Sequence, residues 1–317
     1  MSLVVIVPAF NEAQDIVRTL GHVPRTVAGF DEVLVIVVDD GSQDGTVALA
    51  QHAGADRVVR HQRNRGLAAA FRTGLDAALD AGADVIVNLD ADGQYEAGDI
   101  PALVAPVLAG RADLVVGVRP IEQMRHFSWM KRRAQRVGSR VVRLASGLEV
   151  EDATSGFRAF SADAARRIGV YSPHTYTLET LIQAGSSGMT VATVPVRANG
   201  PTRPSRLMRN WPQYVRRSAV TIVRIFVVYR PFRFFAALSL TFGVAGAALI
   251  LRFVGYYLTT GGEGRVQSLV IGGVLLTIGV QMLVTAFLAD AVATNRRILE
   301  EIRYRLRSSG RGDHDER

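Results

Sequence analysis

The chain has 317 residues, 48% of them hydrophobic, with a formal net charge of +8 and a pI near 10.3. It contains no cysteine, which excludes a disulfide framework, a Cys-ligated zinc site and a thiol nucleophile. The mean hydropathy of +0.17 is high for a wholly soluble protein, and the positive balance, carried by arginine with Lys131 as the lone lysine, predicts an anionic partner: nucleic acid, a membrane surface or a phosphorylated substrate.

The start, Met1 to Val7, lacks a basic leader and runs into Pro8, so it reads as a first strand and not as a signal peptide. Short runs rich in Val and Ile fall at Leu3 to Val7, Glu32 to Val38, Arg57 to Arg60, Val85 to Leu89 and Leu114 to Val118. Amphipathic segments separate them, at Glu12 to Leu20, Thr46 to His52 and Leu67 to Ala81. This βαβ alternation predicts a largely parallel sheet covered by helices, with ligands bound beyond the carboxyl ends of the strands. The polar clusters Pro8 to Glu12, Asp39 to Thr46 and Asp90 to Gln94 all fall at such ends, so they are expected to face one crevice.

In that crevice, Asp90 and Asp92 stand at i and i+2 after an apolar strand and before Gly93, so they can converge on one cation, with the Gln94 carbonyl oxygen as a further hard ligand. An Asp-x-Asp pair also suits a plain surface turn. Neither G-x-G-x-x-G after a strand nor G-x-x-x-x-G-K-[ST] occurs, so neither a dehydrogenase dinucleotide site nor a P-loop is supported. A carboxylate at a strand end, Asp39 or Asp40, can instead accept hydrogen bonds from a base imide or a ribose hydroxyl; the bland reading of the same residues is a turn followed by a helix cap at Thr46.

The last third changes character. From Asn210 to Tyr229 the arginines 216, 217 and 224 share one side of a helical projection while Trp211, Val215, Ile222, Phe226 and Tyr229 share the other, a pattern for an interfacial helix. Pro231 then precedes two apolar runs, Phe234 to Leu251 and Ser268 to Ala289, each near the length of about 20 residues needed to cross a bilayer. Joined by the glycine-rich loop Thr259 to Gly264, they read as a transmembrane hairpin. Arginine is dense before the first span (Arg230, Arg233) and after the second (Arg296, Arg297, Arg303, Arg305, Arg307), whereas the connecting loop offers only Arg265. Both the first domain and the tail are therefore expected on the cytoplasmic side of the cell membrane, in a multi-pass protein with two spans.

Val7 to Glu12, Val38 to Thr46, Asn64-Arg65-Gly66-Leu67 and Leu89 to Gln94, in that order, resemble the nucleotide-sugar half of family 2 glycosyltransferases with the GT-A fold. Gly117-Val118-Arg119 and the stretch Asp152 to Arg158 resemble the polyprenyl-phosphate branch, the dolichyl- and undecaprenyl-phosphate mannosyl- and glucosyltransferases. The resemblance covers roughly residues 3–206. It implies an α/β, Rossmann-like GT-A catalytic domain over residues 1–206, ahead of an amphipathic interfacial region at 207–230, the hairpin at 231–291 (spans about 234–257 and 267–289) and a basic tail at 292–317. It implies that Pro8, Phe10, Glu12, Asp39 and Asp40 hold the nucleoside of a UDP- or GDP-sugar. Asp90, Ala91 and Asp92 would then meet the diphosphate, with Asp90, Asp92 and Gln94 holding Mg²⁺ or Mn²⁺ against it.

A lipid monophosphate acceptor is already anionic, so arginines are its expected clamp: Arg119 after a strand, and Arg132 and Arg136 four apart on a helical stretch. Asp152 is the candidate carboxylate near the reacting phosphate, to accept a proton, orient an arginine or cap a turn, and Arg119 joins it in the catalytic assignment. Glu179 is a weaker candidate for the same cavity. Arg203 and Arg206 resemble a basic loop that closes over the diphosphate, with the spacing off by about one residue and an arginine at 206 where lysine is common. The expected activity is inverting, metal-dependent transfer of a hexose to polyprenyl phosphate; the hairpin makes a homo-oligomer possible, and no nucleic-acid role is expected. The rival readings are a processive polysaccharide synthase, disfavoured because no Gln-x-x-Arg-Trp motif occurs, and a membrane nucleotide-sugar binding module without turnover.

Overall fold

The computed structural model describes residues 1–120, 143–144, 146–170, 176–199, 223–224, 227–261 and 266–309. The chain divides into two compact units, Met1–Arg209 with Arg303–Arg317, and Asn210–Ile302.

The first unit is built on seven strands: β1 (Ser2–Ala9), β2 (Glu32–Asp39), β3 (Arg57–Arg60), β4 (Val85–Asn88), β5 (Leu114–Val118), β6 (Arg158–Ser161) and β7 (Val191–Pro195). They lie in the order β3-β2-β1-β4-β6-β5-β7. β1 pairs in parallel with β2 and β4, β2 with β3, and β5 with β7, while β6 runs antiparallel to both β4 and β5. The helices are α1 (Ile16–Gly21), α2 (Thr46–His52), α3 (Leu67–Asp80), α4 (Ile100–Leu108), α5 (Ala162–Arg167) and α6 (Thr177–Ser186). The amphipathic segment expected from Glu12 becomes helical only at Ile16, because residues 12–15 are spent on a turn closed by Asp15 N and Ile16 N on the Glu12 carbonyl.

Alternation along the strands sorts the core into two layers. Leu3, Val5 and Val7 point to one face with Val35, Val37, Val85 and Val87, and pack on Ile16 and Leu20 of α1 and Ile100, Leu103 and Val104 of α4. Val4, Ile6, Ile36 and Ile86 point to the other, against Phe71 and Leu75 of α3, Ala164 and Ala165 of α5, and Leu181 and Ala184 of α6. Strands buried on both faces read as near-continuous apolar runs, which is why β1, β2 and β4 carry so much Val and Ile.

Parallel pairing brings the carboxyl ends of β1, β2, β4 and β5 to one edge. Because β6 runs the other way, its beginning, Arg158, lies at that edge too, opposite Asn88 in register. Five of the stretches that the sequence marks as polar and functional therefore converge there: residue 10 after β1, 39–46 after β2, 90–94 after β4, 119 after β5 and 152–157 before β6.

The second unit contains α7 (Pro231–Thr260) and most of α8 (Val266–Ser309). Within them Pro231–Thr259 and Val266–Ile302, of mean hydropathy 2.2 and 2.1, are long and apolar enough to cross a membrane. Large side chains such as Leu251, Leu258 and Leu288 stand 69%, 78% and 65% exposed, a surface suited to lipid. α8 continues through Ser309, so part of the tail placed at 292–317 extends the second apolar helix. Of the interfacial region expected at 207–230, only residues 223–224 and 227–230 are described.

Candidate active site

The loops after β1 and β2 are laced together. Asn11, whose φ is 52°, donates its N–H to Ser42 Oγ at 2.9 Å and accepts from Gln43 N at 3.0 Å, while Glu12 N donates to Thr46 Oγ1 at 2.9 Å. Beside them opens a cleft of about 560 Å³ lined by Phe10, the 41–43 turn, Arg60 and the 61–64 loop. Asp39 lies beneath it, fully buried, accepting from Ser42 N at 3.2 Å and meeting Arg60 Nε at 3.2 Å. Pro8 is buried within β1.

Asp40 has a different employment. One carboxylate oxygen takes Arg65 N at 2.9 Å and His61 Nδ1 at 2.7 Å, the other Gly66 N at 2.8 Å. It therefore fixes the 61–66 loop that forms the cleft's far wall. Gly41, with φ of 78°, sits where a β-carbon would come within 2.7 Å of the Arg63 backbone, so only glycine lets the two loops close.

Beyond β4, Asp90 and Asp92 occupy a turn in which Gln94 N donates to Asp92 Oδ1 at 3.1 Å. The strand leaving β7 lies along this turn: Asn199 N donates to the Gln94 carbonyl at 2.8 Å, and Tyr95 bridges to Ala198. Ala91 is buried, and its carbonyl accepts from Thr19 Oγ1 at 3.1 Å. Asp90 is the unusual member. Its Oδ1 is buried without a hydrogen-bond partner among the described residues. Its carboxyl abuts Gly156, where a β-carbon would fall 2.4 and 2.8 Å from its oxygens. Burial, and then the charge of Asp92, push the Asp90 pKa up to about 7.

The opposite wall comes from residues 119 and 152–156. Arg119 donates from Nε to Asp152 Oδ2 at 2.7 Å and from Nη2 to Oδ1 at 3.0 Å, and reaches Thr154 Oγ1 at 3.1 Å. These bonds use Nε and Nη2 and leave the Nη1 edge outside the pair. Burial works against the Arg119 cation, but Tyr95, Asp152 and Asp90 override it and hold its pKa above the ordinary arginine value. Tyr95 joins the two walls: the Arg119 guanidinium lies 5.7 Å from its ring centre, and its Oη accepts from Ser155 Oγ at 3.2 Å and Gly156 N at 3.1 Å. Burial pushes its phenol up to about 12, so it stays protonated.

Three residues at this site, Tyr95, Asn88 and Tyr176, are not among the candidates that the sequence singles out, and Arg158 stands there only as the end of a motif. Arg158 is fully buried and donates to the carbonyls of Ser155, Thr177 and Ala153 and to Thr180 Oγ1, at 2.5 to 2.9 Å, binding the 152–156 loop to α6. Burial lowers its pKa. The stretch Asp152 to Arg158 was legible as a unit, but not the buried clamp at its end. Glu179 is buried on α6. Arg132, Arg136, Arg203 and Arg206 lie outside the described residues.

The donor set around Asp90 fits a hard divalent cation: a buried carboxylate oxygen with no hydrogen bond among the described residues, a second carboxylate two residues on, and the oxygens of Gln94. A cleft beside Asp39, an acidic turn and an arginine-carboxylate pair thus follow one another along the carboxyl edge of a mostly parallel sheet. Among solved structures this architecture is similar to glucosyl-3-phosphoglycerate synthase from Mycobacterium tuberculosis, crystallised with Mn²⁺, UDP and glucosyl-3-phosphoglycerate. That match has TM-score 0.54 and 22% identity and covers 71% of this chain and 78% of that one, which shows a shared GT-A fold. In sequence, the chain is 32% identical to the polyprenol monophosphomannose synthase of Mycolicibacterium smegmatis (61% of this chain, 75% of the relative) and 34% identical to the undecaprenyl-phosphate mannosyltransferase of Micrococcus luteus (53% and 70%). The model of the glycosyl transferase family 2 domain matches residues 4–169, which take in six of the seven strands, the cleft, the acidic turn and the Arg119–Asp152 pair, and the chain belongs to that family of enzymes.

Proposed function

We propose that this glycosyltransferase moves a hexose from a UDP- or GDP-sugar onto the phosphate of a polyprenyl phosphate, with inversion, at the cytoplasmic face of the cell membrane. The observation that carries the reading is the Arg119–Asp152 pair, held across Tyr95 from the Asp90–Asp92 turn. It sets a wall that presents a fixed guanidinium, for the acceptor, against an acidic donor wall. The names of the mycobacterial and micrococcal relatives supply the acceptor class.

In this reading the nucleoside enters the cleft beside Phe10 and Asp39, with Pro8 and Glu12 supporting the same loop. Asp40 acts on it by holding the 61–66 wall. Asp90, Asp92 and Gln94 hold Mg²⁺ or Mn²⁺, which when bound neutralises charge developing on the departing diphosphate. Arg203 and Arg206 close over the diphosphate. The acceptor phosphate is an oxyanion near neutral pH and attacks the anomeric carbon as the bond to the diphosphate oxygen breaks. It needs placement more than deprotonation, and Arg119, with Arg132 and Arg136, supplies it. Asp152, both of whose oxygens are spent on Arg119, serves to aim that guanidinium.

The two apolar helices suit a chain whose acceptor lives in lipid. The arginines that precede the first apolar run and follow the second favour a hairpin with both flanks on one side. The deciding experiment incubates the full-length protein in detergent with Mn²⁺ or Mg²⁺, a short polyprenyl phosphate and radiolabelled UDP- and GDP-sugars. Single-sugar lipid-extractable label is expected; polymeric product would support a processive synthase, and nucleotide-sugar binding without transfer would support a binding module.

A further inference from the structure

The geometry points to Tyr176, acting with Asn88, as the positioning residue that seats Asp90 for its cation, by holding Gly156 flush against that carboxylate. The inference rests on the divalent-metal reading above and extends it to residues that touch neither substrate.

Asn88 ends β4 and is fully buried. Its Nδ2 donates twice, to the Gly156 carbonyl at 2.7 Å and to Tyr176 Oη at 2.8 Å. Tyr176 is 1% exposed, and its ring stacks on Phe71 with centroids 4.0 Å apart and planes 9° apart, so α3 fixes its position. Its Oη also donates to the Gly156 carbonyl at 3.4 Å. Gly156 is thus gripped on two sides, its carbonyl by Asn88 and Tyr176, its N–H by Tyr95 at 3.1 Å.

What Gly156 presents to Asp90 is a bare Cα. A β-carbon there would lie 2.4 and 2.8 Å from the two Asp90 oxygens and 2.8 Å from Tyr176 Oη. The carboxylate is packed against the Gly156 Cα and takes a hydrogen bond from the Tyr176 side chain, while Oδ1 keeps none among the described residues. A buried carboxylate oxygen left without a donor is costly, and such exceptions call for a functional reason. Here a cation takes the place of the donor missing at Oδ1, and the Tyr176–Asn88 grip fixes the direction in which the carboxylate presents that oxygen. Outer-shell groups of this kind govern metal affinity without ligating.

The test titrates Mn²⁺ into the full-length protein in detergent, without substrate, following free Mn²⁺ by electron paramagnetic resonance. Tyr176→Phe removes one oxygen and keeps the stack on Phe71; its Mn²⁺ Kd is expected to rise about tenfold, with kcat restored at saturating Mn²⁺. Asn88→Ala is expected to act in the same direction, and a thermal melt of each variant accompanies the titration. If the wild type binds Mn²⁺, Asp90→Asn does not, and Tyr176→Phe and Asn88→Ala bind like the wild type, the positioning role is overturned while the metal reading stands. If wild type and Asp90→Asn bind alike, both fall.

Discussion

Arg119 grips Asp152 by two parallel bonds of 2.7 and 3.0 Å, with the carboxylate fully buried and the arginine side chain 13% exposed. A carboxylate so held has both oxygens occupied and is a poor proton acceptor, so the pair acts as one net-neutral unit that presents the remaining N–H donors of the guanidinium in a fixed direction. Asp152→Ala leaves that arginine buried and unpaired, and loss of one partner from such a pair costs about 3–5 kcal/mol. Asp152→Asn keeps the shape and is expected to lower kcat/KM by about 10–100-fold through misplacement of the guanidinium. The check is the pH–rate profile. An aiming role leaves the acidic limb where it is in the wild type, whereas a general base would remove it along with the carboxylate.

Asp90 gives the metal-free protein an unusual pH dependence. Its folded pKa of about 7 stands above the ordinary carboxylate value of 3.8 because burial and Asp92 disfavour its charge. Below 3.8 both folded and unfolded chains hold the proton. Between 3.8 and 7 the unfolded chain has released it and the folded chain has not, so this group's contribution to stability falls as pH rises through that window and stays low above it. Asp90→Asn is therefore expected to raise the melting temperature in EDTA at pH 8 and to change it little at pH 4. Mn²⁺ is expected to stabilise the wild type more at pH 8 than at pH 6, since protons compete for its ligand. A melting temperature for Asp90→Asn equal to or below wild type at pH 8 in EDTA would contradict a net cost of burying this carboxylate in its charged form.

The second carboxylate of the Asp39–Asp40 pair is expected to show itself as structural in the first instance. Asp40→Ala deprives Arg65 N and Gly66 N of their acceptor, and each amide left unsatisfied costs about 1–3 kcal/mol. Gly41→Ala forces a β-carbon to 2.7 Å from the Arg63 backbone on the same wall. Both variants should melt earlier and bind UDP and GDP more weakly, measured by thermal melt and nucleotide titration. Unchanged melting with lost nucleotide binding would make Asp40 a direct ligand.

Much of this was open to reading in the sequence, for identifiable reasons. β1, β2 and β4 are buried on both faces and so announce themselves as Val and Ile runs, and parallel strands send their polar loops to one edge. Asp90, Asp92, Arg119 and Asp152 stand in short motifs at those loops. β6 did not announce itself, because it is four residues long and begins with Arg158, a residue that burial would exclude were four of its donors not met by three carbonyls and a hydroxyl. Antiparallel pairing of β4 with β6 sets Asn88 opposite Arg158 and thereby brings Gly156 and Tyr176 beside Asp90. A contact between residues 88 and 176 has no local periodicity or spacing to betray it. The reach of α8 through Ser309 was hidden for another reason: beyond Ala289 the helix turns polar, so hydropathy ends where backbone structure does not.

The apolar hairpin is closed by backbone contact at glycines, which gives a last prediction. A β-carbon at Gly246 would lie 2.8 Å from the Gly272 carbonyl oxygen and 2.9 Å from Leu276 N, and one at Gly279 would lie 3.1 Å from Gly243 N. In a bilayer, where lipid offers no hydrophobic drive for helices to associate, this close approach and the van der Waals contact it allows would be a main tie between α7 and α8, beside the Phe232–Phe287 ring contact. Gly246→Leu must push the helices apart, at a cost of about 1–3 kcal/mol. Gly255 on the same helix has nothing within 4 Å of its would-be β-carbon, so Gly255→Leu adds equal bulk without the clash. Melting of the full-length protein in detergent should therefore separate the two, Gly246→Leu falling below wild type and Gly255→Leu matching it. Equal effects would mean that added bulk on α7, and not its glycine contact with α8, sets hairpin stability.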